Sequence, residues 1–200
     1  LRLQGFNMPG AVLIIDFEDS FTYNIAEVLQ RCKLNSEIIH WTDRSQILAR
    51  LKTKTKKALI LGPGPGHPQE YQNLFPLIRN LIGNQQLPIM GLCLGHQILG
   101  TILGGKIACL KKPLHGVTKA IKIPNWPTVF PSTMVGQSTK VQFYNSLYLK
   151  PLKLEQTYQQ FNRVIMFKHL NTLGVQFHPE SIATILPKIY FYSILSYLKK

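Results

Sequence analysis

Acidic side chains are scarce in this sequence of 200 residues: nine Asp and Glu stand against 23 Lys and Arg, a formal net charge of +14 at pH 7. Beyond Glu70 the only acids are Glu155 and Glu180. Such an excess makes nucleic acid an obvious hypothesis, because clustered cations neutralise phosphates. Here the bases are scattered, in short runs at Lys52, Lys54, Lys56, Lys57 and at Lys111, Lys112, and no nucleic-acid-binding signature accompanies them. The balance therefore reads as a solvated basic surface, or a patch facing an acidic partner, and not as a nucleic-acid site. Cysteine is sparse too. Cys32, Cys93 and Cys109 are an odd number at unrelated spacings. That argues against a disulfide framework or a metal site, and for a reducing, cytoplasmic setting. No apolar run reaches the roughly 18 residues of a membrane span. Leu1–Gly10 lacks the basic-then-apolar layout of a secretory signal. It reads as an N-terminal extension over residues 1–10, with Met8 a candidate initiator, ahead of a single domain over 11–200.

Apolar residues make up 45% of the chain, enough for a sizeable core in one domain. Ala11–Asp16 is a continuous apolar run ending in an acid, the pattern of a strand buried on both faces. A helix is predicted from Ser20, as N-cap, to Cys32, with Ile25, Val28 and Leu29 along one side. Strands are predicted at Glu37–His40, Ala58–Leu61 and Pro88–Gly91, and helices at Ser45–Leu51, Gln69–Gly83 and Gly95–Leu103. This alternation predicts an α/β fold on a mostly parallel, doubly wound sheet. From Lys106 to Gln176 the pattern changes to short β-like pieces broken by Pro, Asn and Gly. Gly174–Phe177 reads as a last strand and Ile182–Lys199 as a closing helix.

Gly91-Leu92-Cys93-Leu94-Gly95 has the form of a nucleophile elbow with cysteine in the serine position. A nucleophile on a sharp strand-to-helix turn needs small neighbours, since flanking side chains would collide with the strand or block the substrate. The helix that follows aims its free N–H groups and dipole at the sulfur, where they favour negative charge. Alone, such a match is often a structural cysteine in a tight turn. Gln176-Phe177-His178-Pro179-Glu180 changes the odds. A cysteine nucleophile needs a base, and the base needs a carboxylate to fix its tautomer. His178 can face Cys93 while Glu180 supports it from behind. The glycine-proline loop Gly62–Pro68 leaves the end of a strand expected beside the elbow. Ligands bind at that carboxyl edge in open α/β sheets. Glycine N–H groups there could form half of an oxyanion hole, with the Leu94 N–H the other half. The loop lacks the Gly-Lys-Ser/Thr ending of an NTPase. Cys32 and Cys109 have no comparable context. His96 reads as structural, His115 as either partner-facing or an ordinary loop residue, and His40, His67 and His169 as surface or loop.

Together these motifs resemble a class I glutamine amidotransferase over nearly the whole chain, from about Val12 onward. The resemblance implies that Cys93 attacks the side-chain amide of L-glutamine, with His178 as general acid and base and Glu180 orienting it. It implies oxyanion N–H groups from Gly64 and Leu94, and glutamine held by Gly64, Gly66, Gln97, Ser146 and Leu147. Asp16-Phe17-Glu18-Asp19-Ser20-Phe21-Thr22-Tyr23-Asn24 narrows the resemblance to the second components of anthranilate synthase and aminodeoxychorismate synthase. Leu114-His115-Gly116 resembles a segment of those subunits near the active site and the partner. The implied partner is a chorismate-using synthase subunit (component I), with ammonia delivered to it. No cofactor is expected in this chain, and Mg2+ only on the partner. Phe17 and Glu18, Val117 after the His-Gly pair, and Asn145 depart from the family pattern, and they leave the triad and the oxyanion loop intact. Two other readings compete: a silent scaffold of the same fold, marked by loss of the cysteine or histidine, and a free-standing hydrolase of γ-glutamyl compounds. Cys93 and His178 oppose the first; Gln97 and the N-terminal signature oppose the second.

Overall fold

A computed structural model describes residues 10–53 and 55–199. The extension, apart from Gly10, and the candidate initiator Met8 lie outside the described residues. Among the described residues nine strands form one sheet, ordered β2-β1-β3-β4-β9-β8-β6-β5, with β7 paired to β8. The strands are β1 (Gly10–Asp16), β2 (Asn35–His40), β3 (Lys56–Leu61), β4 (Ile89–Leu92), β5 (Ile107–Lys122), β6 (Ser138–Leu149), β7 (Gln156–Gln160), β8 (Arg163–His169) and β9 (Thr172–Val175). β2, β1, β3, β4 and β9 run parallel. β8, β6, β5 and β7 extend the sheet antiparallel. Helices α1 (Thr22–Arg31), α2 (Arg44–Lys52), α3 (Phe75–Asn84), α4 (Leu94–Ile102) and α5 (Tyr192–Lys199) cover it. None is long and apolar enough to cross a membrane.

β1, β3 and β4 read as apolar runs because both faces are covered, whereas the edge strand β2 is largely polar and only partly buried. Val12, Ile14, Ala58 and Ile60 point to one side, where α1 (Ile25, Leu29) and α5 (Ile194, Leu198) pack. Leu13, Ile15, Leu59 and Leu61 point to the other, against Ile47 of α2, Ile78 of α3 and Ile98 of α4. Each fully buried Leu or Ile contributes about 1.5–3 kcal/mol over leaving it exposed. Parallel register carries the ends of β1, β3, β4 and β9 to one edge, so Asp16, Gly62–Gly66, Cys93 and Gln176–Glu180 emerge side by side.

Several predicted boundaries move. Ser20 is not the N-cap: α1 begins after Phe21, which offers no side-chain cap. Asp19 does the local work, accepting from the Phe21 N–H at 2.8 Å through Oδ1 and from the Thr22 N–H through its carbonyl. The helix expected over Gln69–Gly83 is divided into a 3-10 turn, Pro68–Leu74, and α3, with Pro76 near the start of the second. Many of the short β-like pieces after Lys106 join into a single long hairpin of β5 and β6. Its two irregularities, between Cys109 and Leu114 and between His115 and Val117, hid the alternation that would have revealed it. The last strand is Thr172–Val175, two residues earlier than expected. The closing helix starts only at Tyr192, after a 3-10 turn over Pro187–Phe191, because Leu186 adopts a left-handed φ of 56° and Pro187 follows.

Candidate active site

The elbow is as tight as the glycines require. Cys93 sits between β4 and α4 with φ 50° and ψ −99°, a strained conformation for a side-chain-bearing residue. Its N–H is held by the Val175 carbonyl at 2.9 Å, across from the neighbouring strand. A Cβ on Gly91 would lie 2.4 Å from the Gly95 carbonyl, and one on Gly95 would lie 2.1 Å from the Leu61 oxygen. Gly95 also donates to the Gly62 carbonyl at 3.1 Å, joining the elbow to the start of the glycine-proline loop.

That loop is fixed from three sides. A Cβ on Gly64 would strike Phe17 at 2.5 Å and Leu94 at 2.6 Å. Gly66 has φ +73°, and a Cβ there would meet the Glu70 carboxylate. Glu70 in turn accepts from the His67 N–H at 2.6 Å, and the Tyr71 hydroxyl donates to the Pro65 carbonyl at 3.1 Å. The Leu94 N–H is among the first amides of α4, which have no partner within their own helix. Gly64, Gly66, Cys93, Leu94, Gln97, Ser146 and Leu147 line one cleft of about 170 Å³. The residues that the resemblance assigns to glutamine and to the oxyanion thus share one cleft. A larger cavity of about 230 Å³, lined by Met90, Leu173 and Ile194, lies toward the amino ends of the strands, away from Cys93.

His178 and Glu180 stand behind the sulfur and not on the cleft wall. His178 Nδ1 and Glu180 Oε1 are 2.7 Å apart, and both side chains are buried. The segment is pinned to β6: the His178 N–H donates to the Gln142 carbonyl at 2.8 Å, and the Thr184 hydroxyl donates to the His178 carbonyl at 2.7 Å. Phe21 and Tyr144 press on the imidazole, with ring centroids 5.0 and 5.2 Å away. Nε2 is buried and makes no hydrogen bond of ordinary geometry, yet it lies within electrostatic reach of the Cys93 sulfur. Burial pulls the imidazole pKa down. The charge of Cys93, the hydrogen bond with Glu180 and the Glu180 charge outweigh it and hold the group well above its ordinary value. The arrangement can keep a proton on the imidazole beside a negative sulfur, with a carboxylate fixing the other ring nitrogen.

The remaining expectations divide clearly. His96 is structural: it is wholly buried on α4 against Phe167, ring centroids 5.1 Å apart. Burial pushes its pKa down to about 4, against smaller opposing pulls from the Gly174 and Val164 backbones. His115, left open between two roles, lies on β5 and lines the cleft. His67 caps the 3-10 turn, His40 is 2.9 Å from the exposed Glu18, and His169 is half-buried at the end of β8. Cys109 is exposed and Cys32 half-buried. Among the described residues no group of three or more His, Cys, Asp or Glu could hold a metal ion. The departures are accommodated. Phe17 is buried against Tyr71, Glu18 takes a φ of 65°, and the Asn145 amide donates to the Leu147 carbonyl at 2.8 Å. The sequence motifs assign no role to Phe21, Tyr144 or Gln176, although Phe21 and Gln176 stand inside them.

Residues 13–195 match the family described as glutamine amidotransferase class-I. The chain belongs to that family. It is 35% identical over 180 residues to the bifunctional protein TrpGD of Thermotoga maritima, covering 86% of this chain and 30% of that protein. It is 32% identical over 184 residues to the aminodeoxychorismate/anthranilate synthase component 2 of Bacillus subtilis, covering 88% of this chain and 91% of the relative. Its fold is that of a glutamine amidotransferase of Thermotoga maritima (TM-score 0.67, 17% identity, 88% of this chain and 77% of that one).

Proposed function

We propose that this chain hydrolyses L-glutamine and passes the ammonia to a chorismate-using synthase subunit that makes anthranilate or 4-amino-4-deoxychorismate. One observation carries the reading: Cys93 on the elbow, backed by the paired His178 and Glu180, on a scaffold of the amidotransferase class. The names borne by the relatives support the choice of partner.

In this scheme the glutamine side-chain amide enters the cleft with its oxygen toward the Gly64 and Leu94 N–H groups. The sulfur of Cys93 attacks the amide carbon, and the carbonyl electrons move onto oxygen, where the two N–H groups hold the charge. When the carbonyl re-forms, the C–N bond breaks and the nitrogen takes the proton from His178 Nε2, leaving as ammonia. A γ-glutamyl thioester remains. His178, now neutral, takes a proton from water as it attacks; glutamate leaves, and the thiolate and imidazolium are restored. Glu180 holds the tautomer throughout. This chain uses no cofactor, and Mg2+ belongs with the chorismate-binding partner. The basic surface fits an acidic partner face, with association weakened by salt.

The test separates making ammonia from using it. In complex with the synthase subunit, Cys93→Ala should lower glutamine-dependent amination of chorismate by about 10⁴-fold or more. Amination driven by ammonium salt at alkaline pH should persist. Loss of both reactions with the complex intact would place Cys93 in the chorismate step and defeat the proposal.

A further inference from the structure

Gln176 directly follows β9, two residues before His178, and its side chain is buried. Its amide nitrogen lies 3.7 Å from Cys93 Sγ, with the N–H donating to sulfur. Its amide oxygen accepts from Gln97 Nε2 at 3.2 Å. Gln97 Nε2 also donates to the Leu147 carbonyl at 3.0 Å, and that carbonyl takes a second hydrogen bond from Asn145. The chain of contacts therefore runs from the cleft wall on β6, through Gln97 on α4, to the sulfur. An amide is polar at both ends and costly to bury unpaired. Here both ends are used, and one is used on the nucleophile.

We propose that Gln176 is a positioning residue for the Cys93 sulfur: its N–H stabilises the negative sulfur, and its oxygen, tied to Gln97, couples that hold to the wall of the glutamine cleft. His178 is the acid and base, whereas Gln176 exchanges no proton and acts only through the sulfur it faces. The sulfur has two other contacts of different kinds, the His178 imidazole and the Tyr144 carbonyl 3.9 Å away. A carbonyl accepts from a thiol and repels a thiolate. The Gln176 donor does the reverse, so the two bias the group in opposite directions and the amide favours the charged form.

This rests on Cys93 being the nucleophile, and the test keeps the two apart. Iodoacetamide modification of Cys93 is followed by peptide mass against pH in the unaltered chain, Gln176→Met and Gln176→Glu, with thermal melts to confirm folding. Methionine keeps the bulk and removes the donor. Glutamate keeps an acceptor for Gln97 and places an oxygen where the donor was, so it holds the local packing should methionine fail to fold. The pH of half-maximal modification should rise by about one unit in Gln176→Met, and by at least as much in Gln176→Glu. At saturating glutamine, kcat at neutral pH should fall about tenfold and recover as pH is raised, a recovery that loss of packing alone does not produce. Folded variants whose midpoints match the unaltered chain would overturn the inference about Gln176. Modification of the unaltered chain mainly at Cys32 or Cys109 would overturn the proposed function itself.

Discussion

His96 and His178 are both almost wholly buried, one inside the parallel half of the molecule on α4, the other at its carboxyl edge beside the antiparallel half. Burial disfavours the charged imidazole in each. At His96 nothing charged opposes it, and the pKa falls to about 4. At His178 the Cys93 sulfur and the Glu180 carboxylate overcome it, and the pKa rises well above the ordinary value. Depth in the fold does not decide whether a histidine is chemistry or packing; the sign and nearness of its neighbours do. The two rings therefore give opposite signatures when perturbed.

The largest difference between them should be in catalysis. His178→Asn removes the proton carrier and should lower glutaminase turnover in the complex by about 10³-fold or more. His96→Leu, whose ring packs on Phe167, should stay within a few-fold at pH 7. Comparable losses from both, in chains with matching thermal melts, would erase the distinction. Next in size is the elbow that brings Cys93 to His178. Gly95→Ala places a Cβ 2.1 Å from the Leu61 oxygen. Backbone must move to relieve it, at a cost of about 3 kcal/mol or more, measurable as a lowered urea midpoint together with lost glutaminase activity. A variant of unchanged midpoint would mean that the elbow is looser than its geometry. Glu180→Gln should be milder, about 10²-fold, since the carboxylate orients the base and transfers no proton. It should also lower the His178 pKa, so that activity is lost at a lower pH on the alkaline side. A pH profile with an unmoved alkaline limb would remove Glu180 from the pair.

Much of this site was legible because its parts are short and chemically constrained. Gly91 and Gly95 flank Cys93 for steric reasons that hold wherever a strand turns sharply into a helix, and a buried carboxylate two residues from a histidine is rare in a chain with so few acids. Strands β1, β3 and β4 were equally plain, their apolar runs being continuous. The antiparallel half was not, because the interruptions at Cys109–Leu114 and His115–Val117 break the period of two on which strands are recognised. For the same reason no pattern in the sequence puts Tyr144 on the His178 ring or the Leu147 carbonyl on Gln97. Those contacts depend on the register of a hairpin crossing the end of the sheet. Gln176 was in plain view beside His178, but a glutamine at a strand end has no signature until its neighbours in space are known.

The smallest effect expected is on stability, where the two histidines should tilt the pH profile in opposite directions. His96 is depressed in the folded state, so between its ordinary pKa near 6.5 and about 4 the unfolded chain binds more protons. Stability from this group is full above pH 6.5 and is lost as pH falls toward 4, by about 3 kcal/mol in all. His178 is raised, so its contribution is full below the ordinary value and fades as pH climbs through the folded one. Urea denaturation at pH 9, 7, 5.5 and 4 should therefore show His96→Leu losing less stability on acidification than the unaltered chain, whatever its cost at pH 7. His178→Asn should leave that acid slope in place and flatten the alkaline one. Were His96→Leu to follow the acid slope of the unaltered chain, the buried ring on α4 would have to be satisfied by polar neighbours, and the contrast with His178 would be one of position only.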